Sequence, residues 1–270
     1  MGKRVLAHGL LGLSALIMLL PFLYQLGLSV TLAERIFSSP LPLTLPLTLE
    51  NYQVVLKKLP MARYVANTLA FALGVTLGQL LLALLAAYAF AFRTFFLKEV
   101  LFALFVGSNL VPFVVTYLPN YLLLARLGLL DTFPGLILPM LTAGYATFLL
   151  RQHFLAFPRE VLEAAHVDGA SSWQVLFRVL APANLPALVA LGITLFISAW
   201  NQFVWPGLVA NRPEMHVLTV AVARFAGGEG SNAWGPMMAA SVLATLPAFL
   251  LYLAFRRWVL ETLMEGGVRG

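Results

Sequence analysis

Apolar residues in this chain run in long unbroken blocks rather than in stripes. Six windows contain no Asp, Glu, Lys or Arg: 5–33, 64–92, 100–125, 132–150, 179–211 and 230–255. Each approaches or exceeds the roughly 20 residues that a helix needs to cross a bilayer. Lipid supplies no partners for backbone polar groups, so each window predicts a helix. In the last two the spans are expected over 183–209 and 235–255. The fold class that follows is an all-α integral membrane protein with six transmembrane helices. A seventh uncharged run, 36–49, has only 14 residues and carries Pro40, Pro42 and Pro46. It reads as an extended segment outside the bilayer.

Several spans carry breakers. Pro112 and Pro119 are expected to interrupt the third, and Pro139 enters the fourth. Gly74 and Gly78 form a small-xxx-small face in the second, which lets another helix approach closely. Lys3 and Arg4 precede the first run as they would in an export signal. That run continues uncharged to Ala33, beyond a signal's 7–15-residue apolar region, so a retained span is expected.

Lys and Arg placement sets the orientation. With the N-terminus in the cytoplasm, ten of them (Lys3, Arg4, Arg93, Lys98, Arg151, Arg159, Arg178, Arg256, Arg257 and Arg269) fall on the cytoplasmic side, against seven outside. The short 93–98 loop and the Arg256-Arg257 pair weigh most. Both termini, and the loop between spans 4 and 5, are then cytoplasmic.

Composition agrees. Of the 270 residues 61% are hydrophobic and 10% charged, against about 25% charged in a soluble domain. That is too little charge to coat a globule, so a soluble enzyme is ruled out and a nucleic-acid binder fits poorly. The net charge of +6 fits cationic loops at a membrane face. With no cysteine, disulfides, thiol catalysis and Cys-ligated metals are excluded.

The segment Arg151–Arg178 does not read as a plain connector. Pro158 suits the opening position of a helix, and Glu160 and Glu163 lie where the helix dipole favours negative charge. Val161, Ala164, Ala165 and Asp168 recur at i, i+3, i+4 and i+7, a face of small residues. Gly169 can supply the positive φ that ends a helix. Ser171 and Gln174 have capping-box spacing. Trp173, Leu176, Phe177 and Leu180 then predict an apolar stripe, and Pro182 and Pro186 open the next span. Two readings stand side by side: a pair of amphipathic helices lying on the bilayer, or a small-residue face on which another protein packs.

The run Pro158-x-Glu160-x-x-Glu163-Ala164-Ala165-x-x-Asp168-Gly169-Ala170-Ser171, continuing through Phe177 to Pro182, resembles the EAA loop of importer-type ABC transporter permeases. The resemblance extends along most of the chain. Asn67-Thr68 opens span 2, and the run from Ala86 to Arg93 closes it as in that family. Leu127-Gly128-Leu129-Leu130-Asp131-Thr132 is similar to its outer turn. Trp200-Asn201-Gln202-Phe203 with Trp205-Pro206 is similar to the element ending its span 5, although Gln202 stands where Asp is usual. The tail Gly266–Gly270 is similar to the family's C-terminus, with Arg269 for the usual Lys. Together these resemble the carbohydrate branch and, within it, the maltose-permease second-subunit group.

That resemblance implies a single permease domain over 1–270, whose loop 158–182 forms a cytoplasmic two-helix coupling element between helices 4 and 5. Glu160, Glu163, Ala164, Ala165, Asp168, Gly169 and Ala170 would dock on a cytoplasmic ABC ATPase dimer; helix capping is the alternative role for Asp168. Further implied partners are a second, distinct permease subunit, an extracytoplasmic substrate-binding protein and membrane lipid. The outer loop 210–234 is expected to meet the binding protein or to serve as a plain connector. The location implied is the inner membrane.

No G-x-x-x-x-G-K-[ST] occurs, so the chain is expected to be non-catalytic and to hold no cofactor, with ATP and Mg bound by the partner ATPase. Alternating access driven by closure of that ATPase is the expected mechanism. Gln79, Asn109, Trp200, Asn201 and Gln202 are the candidate pathway residues, because amides and aromatics suit a hydroxyl-rich solute. Interhelical hydrogen bonding is the competing account of each amide. No span carries a central ionisable residue, which opposes a proton-coupled secondary transporter. His8, His153, His166 and His216 show no metal-ligand spacing, and the acids at 160, 163 and 168 lack the partners a membrane enzyme would need. The substrate class expected is a mono- or oligosaccharide. Glycerol phosphate is the alternative, and would want Arg or Lys in the path.

Overall fold

The structure, a computed structural model, describes residues 2–37, 44–228 and 233–267. Helices account for nearly all of it, and the described residues contain no strand beyond one isolated bridge, Thr31 to Leu47. In chain order the helices are α1 (Gly2–Ser29), α2 (Glu50–Lys58), α3 (Met61–Phe92), α4 (Lys98–Gly107), α5 (Tyr117–Arg126), α6 (Phe133–Ile137), α7 (Gly144–Leu155), α8 (Arg159–Val167), α9 (Ser172–Ala183), α10 (Leu185–Trp200), α11 (Val204–Val209), α12 (Leu218–Gly227) and α13 (Trp234–Gly267).

Three of these helices are long and apolar enough to cross a membrane unaided: Leu6–Ser29 of α1, all of α3, and Trp234–Leu251 of α13. The other expected spans are broken pairs. Lys98–Leu110 and Phe113–Arg126 meet at 90°, Phe133–Met140 and Gly144–Leu155 at 53°, and Ser172–Ala183 and Leu185–Trp200 at 81°. The first break falls at Pro112, as expected. Pro119 breaks nothing, because it lies in the first turn of α5, where a missing N–H costs no intrahelical bond. The uncharged run 179–211 is likewise not one helix. It turns at Asn184 and stops at Trp200, before the separate α11.

The chain divides into two compact units, Met1–Val65 with Val217–Leu250, and Ala66–His216 with Leu251–Gly270. In the first, α1 buries none of its apolar window inside the chain, which leaves that surface to lipid. The sequence pattern gave no sign of α2. Its Asn51 donates to the carbonyls of Ser29 (3.0 Å) and Thr31 (2.9 Å), satisfying backbone freed where α1 ends. A Cβ on Gly235 would strike that amide, so glycine admits α13 to the contact. Of the 36–49 run only the ends are described. The glycine-rich stretch 229–232 and the tail 268–270 lie outside the described residues.

In the second unit, α3 is the central post. Its small-residue face works as expected: side chains of Ile137 and Leu141 occupy the space that Cβ atoms on Gly74 and Gly78 would need. Farther along, Ala83, Leu84, Ala87 and Tyr88 join Ala146, Leu150 and Phe154 of α7 and Leu176, Leu180 and Leu191 in one buried cluster.

Candidate functional site

Residues 158–182 fold at the end of α3 that Arg93 closes. The guanidinium of Arg93 donates to the Ser172 hydroxyl and lies 5.6 Å from the Tyr88 ring centroid. Pro158 sits at the N-cap of α8, with ψ of 125°, one residue before the expected position. The shift carries no penalty, since the N–H that proline lacks has no helical partner at either place. Leu162 is the side chain that α8 buries, beside Val175, Leu176 and Leu180. On the small-residue face Val161, Ala164 and Asp168 are exposed, while Ala165 is half-buried and packs against the cluster.

Gly169 ends α8 at φ 77°. Its N–H donates to the His166 carbonyl (3.0 Å) and that of Ala170 to the Ala165 carbonyl (2.9 Å), the double bond of a Schellman turn. Ser171 and Gln174 then form the expected capping box, at 2.7 Å and 3.4 Å.

The apolar stripe departs from expectation, because Val175–Leu180 is a π-helix. Its i→i+5 turn carries an extra residue and shifts every later position around the axis. Val175, Leu176 and Leu180 are buried, whereas Trp173 is 63% and Phe177 42% exposed. Their rings stack on each other, 5.8 Å apart and within 5° of parallel.

Among the described residues none of Glu160, Glu163 and Asp168 has a hydrogen-bonded or ionic side-chain partner. A cavity of about 610 Å³ opens between α3 and α8, lined by Tyr88, Arg93, Arg159, Leu162, Glu163 and His166 among others. The His166 Nδ1 lies 2.6 Å from the Leu162 carbonyl, a contact that requires the proton on Nδ1. A smaller recess of about 320 Å³ is bounded by Ala165, Asp168, Gly169, Ala170, Gln174 and Arg178.

Two of the four amides expected along a solute pathway, Gln79 and Asn109, are engaged with backbone, as is Asn184. Gln79 donates to the carbonyls of Met140 (2.6 Å) and Thr142 (3.1 Å), both freed by the break before α7. Asn109 donates to Val106 (3.0 Å), and its amide fills the space where Gly144 would carry a Cβ. Asn184 donates to Leu180 (2.8 Å) at the bend into α10. Such bonds are what broken helices require in lipid. Trp200 is buried against Phe196, with ring centroids 5.7 Å apart. Asn201 is exposed, and Gln202 is half-buried with an interaction of its own.

At the other end of α3, about 39 Å from Arg93 by helical rise, polar groups close on one another. Gly128 (φ 67°) ends α5 in a second Schellman turn, with Leu129 donating to Leu124 (2.9 Å). Asp131 adopts a left-handed φ of 56°, and its carboxylate accepts the backbone N–H groups of Asn211 (2.5 Å) and Arg212 (2.8 Å). Thr132 caps α6 through the Gly135 N–H (3.1 Å). Asn67 donates to the carbonyls of Glu214 (2.8 Å) and His216 (3.0 Å). Trp205 is fully buried, bonded through Nε1 to the Leu136 carbonyl (3.0 Å) and stacked on Tyr117. Sequence reasoning noted Asn67, Asp131 and Trp205 without seeing that the first two hold the 209–216 turn and the third is tied to Leu136. An Asp or Asn bonding backbone far along the chain leaves no local pattern.

Residues 79–263 match the family described as the binding-protein-dependent transport system inner membrane component. The chain belongs to that family. This inner-membrane component is 30% identical over 272 residues to the sn-glycerol-3-phosphate transport system permease protein UgpE of Rhizobium meliloti (strain 1021), covering 97% of this chain and 96% of the relative. It is 31% identical to the protein of the same name from Salmonella choleraesuis (strain SC-B67), covering 98% and 97%. Among solved structures, it superposes on a chain of a bacterial ABC transporter involved in the import of the acidic polysaccharide alginate. The TM-score there is 0.81 with 22% identity, over 94% of this chain and 95% of that one. The fold is therefore that of an importer permease, and the matched segment includes the whole of 158–182.

Proposed function

We propose that this chain is one permease subunit of an ATP-driven carbohydrate importer, and that 158–182 is the cytoplasmic element through which a partner ATPase moves it. The observation that carries this reading is the surface of α8. Glu160 and Glu163 are exposed and unpaired, Ala164, Asp168 at the C-cap and the Gly169 turn are exposed, and Ala165 and Ala170 are half-buried at the edge of the buried cluster. Three uncommitted carboxylates beside small residues would offer a basic partner both charge and close approach. Leu162 and Leu176 tie that surface to α3 and α7, so force applied there reaches the spans.

In this reading 1–270 is a single permease domain with six spans, each broken pair counting as one and both termini cytoplasmic. A distinct second permease completes the translocation pathway, and an extracytoplasmic binding protein delivers solute. ATP and Mg belong to the ATPase dimer, whose closure favours the outward-open state by binding it better. Within the pathway set of Gln79, Asn109, Trp200, Asn201 and Gln202, Asn201 is exposed and, unlike Gln79 and Asn109, spends no amide on a carbonyl among the described residues, so it comes first for substitution.

The substrate we assign is a mono- or oligosaccharide, because none of the uncharged spans offers a Lys or Arg to a phosphate. The names of the UgpE relatives favour a second reading, sn-glycerol 3-phosphate. Uptake into proteoliposomes of the co-purified complex separates the two: uptake of neutral saccharides supports the first, and uptake of glycerol phosphate alone replaces it.

Docking is tested by affinity purification in mild detergent and by Glu163→Lys and Gly169→Asp. Expected are recovery of a P-loop ATPase with a second permease, and variants that assemble but lose substrate-stimulated ATP hydrolysis. Normal stimulated hydrolysis in both variants would sink the docking role.

A further inference from the structure

The stacked Trp173–Phe177 pair is an exposed aromatic feature that the docking surface leaves unused. Its depth is fixed by chemistry already described. Arg93 is the first charged residue after the uncharged 64–92 run, so it marks where α3 leaves the hydrocarbon. Its guanidinium bonds the hydroxyl of Ser172, the residue next to Trp173. Trp173 therefore lies at the level where α3 meets the headgroups. Exposed Arg178 follows Phe177 directly, and the uncharged run 179–211 begins one residue later. Aromatic rings at the edge of an apolar run, flanked by arginines, match the composition of a membrane–water interface.

We propose that Trp173 and Phe177 form an interfacial anchor in the lipid headgroup layer, with Arg93 and Arg178 favouring anionic lipid. The π-helix is what makes the anchor possible: it buries Val175, Leu176 and Leu180 while both rings stay outside the cluster. The anchor holds α9 at a fixed depth while α8, beyond the Gly169 turn, presents its own face to a partner. The 158–182 element thus divides its labour, α9 to the membrane and α8 to protein. This inference rests on the spans crossing the membrane and is independent of the docking reading.

The chain has no cysteine, so single-cysteine variants can be spin-labelled without background. The test uses the assembled importer in vesicles of phosphatidylethanolamine and phosphatidylglycerol. Collision of the label with oxygen, which concentrates in lipid, is compared with collision with a water-soluble nickel chelate. Met18→Cys on α1 is the lipid reference and Arg212→Cys, at an exposed position, the water reference. Expected at Trp173→Cys and Phe177→Cys is an oxygen-to-nickel ratio several-fold above that at position 212, and lower than that at 18. Ratios equal to that at 212 would place the rings in water and overturn the anchor. Shielding from both reagents would place them in a protein interface and overturn it equally. Val167→Cys, 87% exposed on α8, reads the docking surface separately. Lipid-like ratios at 173 and 177 with water-like collision at 167 would uphold the anchor while removing the docking of α8. Trp173→Ala tests the same point without a label: it is expected to lower solute moved per ATP hydrolysed, and Trp173→Tyr, which keeps an interfacial ring, to restore it. Equal coupling in both would count against the anchor.

Discussion

The two ends of α3 handle polar groups in opposite ways. At the Asn67 end the side chains turn inward on the chain itself: the Asp131 carboxylate takes two backbone N–H groups, Asn67 serves two carbonyls, and the Trp205 indole N–H meets Leu136. At the Arg93 end, Glu160, Glu163 and Asp168 stay unpaired and two aromatic rings stay exposed. A satisfied polar group stabilises its own fold, whereas an unsatisfied exposed one is free to change partners. The first end is a scaffold. The second is an exposed surface, which we propose is a docking face.

That contrast can be broken by substitution, because scaffold residues should cost stability and surface residues should not. The largest effect is expected at Trp205, where replacement by alanine empties a fully buried site and strands the Leu136 carbonyl. Thermal unfolding of the purified component should register a loss of about 3–5 kcal/mol. Asp131→Ala removes two charge-assisted bonds and a carboxylate that balances Arg212, 3.9 Å away. A loss of about 2–3 kcal/mol is expected, with faster proteolysis of the 209–216 turn. Gly169→Ala meets nothing within 4 Å, so its cost is only the left-handed backbone, about 1–2 kcal/mol. Smallest is Glu163→Lys, whose exposed and unpaired side chain should change stability by no more than about 0.5 kcal/mol. If that variant proved as unstable as Asp131→Ala, the carboxylates at 160–168 would be structural after all and the contrast would fail.

Legibility in the sequence followed the range of the interaction. Six uncharged windows located the three long apolar helices and the broken pairs because lipid penalises charge at every position. Gly169, Ser171 and Gln174 were readable because a Schellman turn and a capping box are local. Breaks at Pro112 and before Gly144 were only half visible, since Pro119 looks identical in sequence and does nothing. The π-turn at 175–180 was invisible: Trp173, Leu176, Phe177 and Leu180 keep α-helical spacing, and only tertiary packing decides that one turn takes an extra residue. Among the expected pathway amides, Gln79 and Asn109 bind carbonyls released by helix breaks, a need that arises only once the breaks exist. Asp131 and Asn67 reach partners 80 and 147 residues away, beyond any periodicity.

Those separations also set a timetable. At about 5–20 residues per second of synthesis, Asp131 waits roughly 4–16 s for Asn211 to emerge, and Asn67 waits roughly 7–30 s for Glu214. Ser171 and Gln174 are three residues apart and join almost as soon as they leave the ribosome. The 158–182 element is thus finished early, while the 209–216 turn stays unlatched until most of the chain has been made. A nascent chain from which residue 182 had emerged but residues 209–216 had not would already display the 158–182 element and still lack both latches.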